Sequence, residues 1–248
     1  MKSAAFSIAA LALIASVACA PRARSGVSSS VASSVASSVS PIEAPIEARL
    51  ALWLDPFNPE WRRPAPAVSR LHVETTKGPF VLELVRAWGP IGADRLYNLA
   101  RLGYYDDTRF HRVRAGYIAQ FGLHGDSAVN AAWKGRYLAD DPPRSQNRRG
   151  TFAFSYEGPG RPATRNTQVY VNLGDNTRND AEPFTVLGTV VEGMAVLDSL
   201  YTGYGEESGG GVRQGKQGPF ERGGNAFMDR EYPRLDRIIR ITVRPYQP

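Results

Sequence analysis

The chain has 248 residues, 42% hydrophobic and 22% charged, with 30 Lys and Arg against 24 Asp and Glu for a net charge of +6. This is ordinary globular composition with length for one or two domains, and the basic residues are interspersed with acids, so no nucleic-acid face is expected. A single cysteine excludes an internal disulfide, while 24 Gly and 18 Pro set mostly between apolar runs favour strands and loops over a helix bundle.

Residues 1–18 read as a signal peptide: one positive charge at Lys2, an apolar run from Ala4 to Ala15, then small residues. The run is too short for a lasting membrane-spanning helix. Cys19 after Ser16-Val17-Ala18 resembles a bacterial lipoprotein signal, which implies lipidation of Cys19, although Ser16 stands where Leu is usual. Cleavage after Ala20 by the ordinary signal peptidase is the other route, and Pro21 disfavours it. Either route exports the protein. The expected location is the cell envelope, lipid-anchored to the membrane and facing the periplasm.

Residues 19–41, with their Val-Ala-Ser-Ser period, carry too little apolar area to offset the entropy of ordering and read as a flexible linker. Residues 42–67 form a short helical and Pro-rich lead-in. A helix is predicted over Ala44 to Leu54, with Glu43 and Glu47 near its start and Asp55-Pro56 ending it. Trp53, Phe57 and Trp61 are expected to pack against the domain that follows, residues 68–248.

From Leu71 the pattern becomes regular. Two strand-like runs flank Lys77-Gly78, a hairpin signal. Leu96, Leu99, Ala100 and Tyr104 fall at helical spacing. "RFHRVRAGYIAQFG" reads as a strand turning at Ala115-Gly116, and "GTFAFSY" and "TQVYVNL" as strands. "FTVLGTVVEG" reads as a strand pair interrupted at Gly188, "GMAVLDSLY" as a short helix with Leu197 and Leu200 inward. Gly203 to Gly224 reads as a long glycine-rich loop inserted before a last strand, "LDRIIRITV". Many short strands with two helices and no βαβ rhythm predict an antiparallel barrel, closed or nearly closed, with helical caps.

Familiar chemistries are poorly supported. His72, His111 and His124 are the only histidines and lack metal-ligand spacing. No Gly-x-Ser-x-Gly occurs, Gly209 to Gly211 lacks phosphate-loop context, and Asp140-Asp141 before Pro142-Pro143 reads as a loop carboxylate pair. No metal or cofactor is implied.

Four segments in order, "YYDDTRFHRVRAGYIAQFG", "RGTFAFSYEGP", "ATRNTQVYVNLGDN" and "FTVLGTVVEGMAVLDSL", resemble the cyclophilin family of peptidyl-prolyl isomerases. The resemblance covers about residues 70–243. It implies a mainly β fold, a closed antiparallel eight-stranded barrel capped by two helices, with a substrate groove on its outer face. Carried over by motif, it makes Arg112 the catalytic arginine and Gln120 the groove glutamine beside it. It places Tyr117, Ile118 and Tyr170 at the proline pocket, and Ser155, Tyr156, Gln168 and Phe184 elsewhere along the substrate groove. Phe184 replaces the family's groove His, Ser155-Tyr156 its Ala-Asn, and Arg178 to Ala181 its groove Trp and Leu. The implied activity is rotation about X-Pro bonds in folding exported proteins, by non-covalent stabilisation of the twisted amide. The alternative is a low-activity or inactive module that binds Pro-containing segments. The expected partners are such proline-containing segments, and a monomer is expected.

Overall fold

The computed structural model describes residues 45–206 and 217–246. The expected signal peptide, Cys19, the linker and the middle of the glycine-rich stretch lie outside them. The elements run α1 (Ile46–Leu54), β1 (Val68–Thr75), β2 (Gly78–Val85), α2 (Pro90–Arg101), β3 (Arg112–Arg114), β4 (Ile118–Phe121), α3 (Ser127–Trp133), β5 (Thr151–Phe154), β6 (Val169–Asn172), β7 (Val186–Glu192), α4 (Met194–Asp198), α5 (Gln217–Glu231) and β8 (Ile238–Pro245).

The strands form one antiparallel sheet in the order β3-β4-β6-β5-β7-β2-β1-β8. It is mainly β and eight-stranded, as expected, but the ladder is open between β3 and β8. Among the described residues only an isolated bridge, Arg109 to Arg237, joins the two sides of the ladder, with Phe110 N donating to Asp236 O at 2.9 Å and Ile238 N to Thr108 O at 2.8 Å. The physical reason is visible in the register. Beyond that bridge the strand does not continue alongside β3: β8 begins only at Ile238, and the residues that would face Arg112–Arg114 belong to the turn after α5.

Alternation sets the inside and outside. Along β1, Ser69, Leu71, Val73 and Thr75 are buried while their neighbours are half-exposed. Val113, Ala119, Phe121, Phe152, Phe154, Val169 and Val171 join them in the main core. The residues between, on β4, β5 and β6, are also buried: Ile118, Ala153 and Tyr170 pack together on the outer face with Tyr117 and Phe184 against them.

Gly188 does not split a strand pair: β7 runs unbroken through it. Its role is close approach, since a Cβ there would lie 1.9 Å from the Glu83 backbone oxygen of β2. The expected loop up to Gly224 becomes helical from Gln217, with a kink at Gly224, whose positive φ of 55° and close approach to Gly125 O suit only glycine. Tyr104 lies beyond the end of α2 yet is fully buried.

The lead-in packs on the same core. Trp53 Nε1 donates to Leu102 O at 3.0 Å, and Trp133 Nε1 donates to Trp53 O at 2.8 Å. Trp61 meets Trp133 edge-to-face at 4.9 Å. Phe57, expected to pack, is 58% exposed. Asp141 is structural: its carboxylate accepts from the N–H groups of Ile91 and Gly92 at 2.9 and 2.8 Å, supplying the N-terminal cap that Gly89 cannot, and it pairs with fully buried Arg165 at 3.1 Å.

Candidate active site

Strand register builds the site. Arg112 of β3 pairs with Gln120 of β4, Gln120 with Tyr170 of β6, and Tyr170 with Ala153 of β5. Directly paired residues share a face, so these four form a row across the outer surface of the sheet. Ile118 sits two residues before Gln120, and Gln168 two before Tyr170, and both therefore flank the row on the same face. A groove of about 840 Å³ lies over it, and Arg112, Tyr117, Ile118, Gln120, Ser155, Tyr156, Gln168, Tyr170 and Phe184 all line it. Every expected groove residue is thus brought together, while Cys19 lies outside the described residues.

The floor is apolar. Ile118, Ala153 and Tyr170 form a small cluster of their own, packed by Tyr117 and Phe184 and separate from the barrel core. Phe184 meets Tyr170 edge-to-face at 5.3 Å and Tyr156 at 4.8 Å. Tyr156 is 6% exposed, and its hydroxyl donates to the Glu182 carboxylate. It lies against the floor as part of the wall. Burial raises the Tyr170 hydroxyl well above its ordinary range, so it remains protonated and donates to Asn147 Oδ1 at 2.7 Å.

One wall is a chain of side-chain hydrogen bonds. Arg112 Nη1 donates to Gln120 Oε1 at 3.2 Å, Gln120 Nε2 to Gln168 Oε1 at 2.8 Å, and Gln168 Nε2 to Gln217 Oε1 at 3.0 Å. Each amide orients the next, which holds Arg112 over the floor. Beneath, His111 is fully buried, and burial, reinforced by the charge of Arg112, lowers its pKa to about 4. It is neutral at pH 7.

Motif reading missed Glu206, Gln217, Arg114 and Asn147. Glu206 and Gln217 stand 94 and 49 positions from the side chains they touch, Arg112 and Gln168. No local pattern could place them; the "GYGE" segment at Gly203–Glu206 marks the region without revealing the contact.

No titratable pair or nucleophile with a base lines the floor; what the wall offers is a fixed cation beside an apolar recess. The model of the cyclophilin type peptidyl-prolyl cis-trans isomerase family matches residues 70–216. The chain belongs to this family.

Among its relatives, a peptidyl-prolyl cis-trans isomerase of Helicobacter pylori is 30% identical over 134 residues, 53% of this chain and 79% of that protein. The peptidyl-prolyl cis-trans isomerase CYP18-2 of Arabidopsis thaliana is 28% identical over 139 residues, covering 56% of this chain and 84% of its own length. The crystal structure of a Cryptosporidium parvum cyclophilin matches with a TM-score of 0.54 at 18% identity, over 73% of this chain and 99% of that one. Cyclophilin AquaCyp293 from Hirschia baltica matches with a TM-score of 0.51 at 17% identity, over 81% and 80%. At these identities the two structures speak for the fold alone. The family match ends at residue 216, so α5 and β8 are supplied by the chain beyond it.

Proposed function

We propose that this cyclophilin catalyses cis-trans rotation about X-Pro bonds of exported proteins, with Arg112 stabilising the twisted amide. The observation that carries this reading is the guanidinium of Arg112 hydrogen-bonded to Gln120 at the rim of the Ile118–Tyr170–Phe184 recess.

X-Pro rotation faces a barrier of roughly 20 kcal/mol, because it breaks amide resonance. No covalent step is needed; the enzyme must hold the twisted amide more tightly than either planar form. In that geometry the proline nitrogen is pyramidal and gains a lone pair. The recess takes the pyrrolidine ring, and a guanidinium N–H at its rim donates to the lone pair. Gln120 and Gln168 offer amide groups for the peptide backbone, and the neutral His111 takes no proton. Catalysis here is positioning plus electrostatics.

The reading as a binding module without useful turnover draws on the departures from the family pattern, Ser155-Tyr156 for Ala-Asn and Phe184 for the groove His. The packing of Tyr156 and Phe184 into the wall supports the catalytic reading instead. Acceleration of cis-trans exchange in an Ala-Pro peptide by the wild-type chain tests the choice, and a spontaneous rate with measurable peptide binding would favour the binding module. Export with lipidation at Cys19 rests on the sequence of residues 1–20. Mass spectrometry of the mature protein tests it: an acylated N-terminal Cys19 is expected, and an unmodified start elsewhere refutes it.

A further inference from the structure

The segment after α4 places an acid on the arginine of the groove. Glu206 Oε2 accepts from Arg112 Nε at 2.8 Å and Glu206 Oε1 from Arg112 Nη2 at 2.7 Å, a two-point grip on one edge of the guanidinium. The same Oε1 lies 2.9 Å from Arg114 Nη1. The pairing is partly shielded from water, with the Arg112 and Glu206 side chains 14% and 24% exposed.

This site needs such an acid. Arg112, Arg114 and Arg178 crowd one ring, with guanidinium carbons 5.7, 5.1 and 4.8 Å from the centre of Tyr117. Like charges so placed repel, and the side chain free to swing is displaced first. Glu206 offsets that repulsion for the two arginines it touches. Its grip uses the Nε–H and one Nη2–H, while Gln120 takes an Nη1–H at 3.2 Å. A guanidinium carries five N–H groups in a rigid fork, so one Nη1–H and one Nη2–H remain for the peptide.

We infer that Glu206 is a positioning residue for isomerisation: it fixes the plane of Arg112 so that the remaining Nη hydrogens face the recess. The inference rests on the isomerase reading above. Gln217, from the first turn of α5, braces the other end of the wall through Gln168, so the region inserted between α4 and β8 supports the catalytic face at two points.

The test uses the full chain, wild type and with Glu206→Ala or Glu206→Gln, and NMR exchange spectroscopy of an Ala-Pro peptide. This separates the exchange rate on the enzyme from the peptide Kd. In Glu206→Ala the on-enzyme rate falls on the order of tenfold while Kd stays within about twofold, as expected when a reacting group is misplaced rather than binding surface lost. Glu206→Gln, which keeps the shape but not the charge, falls between. The Arg112 Nε–H resonance, assigned by its absence in Arg112→Lys, exchanges slowly with water in wild type and rapidly in Glu206→Ala. An unchanged or faster on-enzyme rate in both variants would overturn the inference and leave the isomerase reading standing. So would a fall matched by the change in Kd. A wild-type chain that does not accelerate exchange overturns both.

Discussion

Replacing Gln120 by Met separates the wall's polar role from its packing role. The side chain is 3% exposed, so an unbranched apolar residue of similar length fills its space with little strain. Two interactions go: the acceptor for Arg112 Nη1 at 3.2 Å and the donor to Gln168 Oε1 at 2.8 Å. Gln168 Oε1 keeps a donor, Gln217 Nε2 at 3.2 Å, so no buried acceptor is stranded. The stability cost is therefore about 2–3 kcal/mol, one ordinary hydrogen bond plus one to a charged group. The rate cost follows from the second of these. A hydrogen bond to a charged group contributes about 1.5 kcal/mol at its lower end, suited to the long Arg112 contact. Spent on orienting the donor in the transition state, that is about a tenfold loss of kcat/KM. Peptide exchange measured by NMR reads the rate, and urea unfolding reads the stability. A rate within about twofold of wild type in a stably folded Gln120→Met protein would refute the idea that the glutamine wall holds Arg112 for catalysis.

Three further outcomes concern the scaffold. Gly188→Ala forces a Cβ within 1.9 Å of Glu83 O, so β7 must move off β2, at a cost of about 3 kcal/mol in urea unfolding; a cost under about 1 kcal/mol would contradict the close approach. Trp53→Ala removes a 6%-exposed ring and its bond to Leu102 O, and should lose about 3–5 kcal/mol by the same measurement. If stability were unchanged, α1 would not be part of the folded core. His111 and His124 have pKa values lowered from 6.5 to about 4, chiefly by burial. The unfolded chain then binds more protons between these values, so their contribution is intact above about pH 6.5 and lost as pH falls towards 4, by about 3 kcal/mol each. A His111→Gln protein, which cannot titrate there, should lose less stability than wild type between pH 7 and pH 4.5; equal losses would contradict a buried neutral imidazole.

The groove was legible in the sequence because its residues lie on short strands whose motifs keep family order. Arg112, Gln120 and Tyr170 converge through strand register, and a period-two pattern specifies which of them share a face. The two strand-like runs around Lys77-Gly78 were likewise legible, and they form the antiparallel pair β1 and β2. Contacts made by irregular segments were not legible. α3 is seven residues long, too short for a helical period to show, and starts at an Asp126 cap. α5 carries Gly223-Gly224, which argues against a helix by propensity; its kink packs Gly224 against Gly125, and the Asn225 side chain reaches Asp107. The closed barrel was expected from the family pattern, but closure needs a strand beside β3, and the chain facing β3 is the turn between α5 and β8. The grip of Glu206 on Arg112 is a tertiary event without a local signature.

The central claim is that one fixed cation lowers the rotation barrier. Its most direct test is the exchange rate of an enzyme-bound Ala-Pro peptide in Arg112→Ala and Arg112→Lys, with Kd measured alongside. Loss of one transition-state donor predicts a fall of about a hundredfold for Arg112→Ala with only a modest change in Kd. Arg112→Lys should recover little, because an ammonium lacks the planar fork that Gln120 and Glu206 hold. An Arg112→Ala protein that isomerises the bound peptide as fast as wild type would contradict the account.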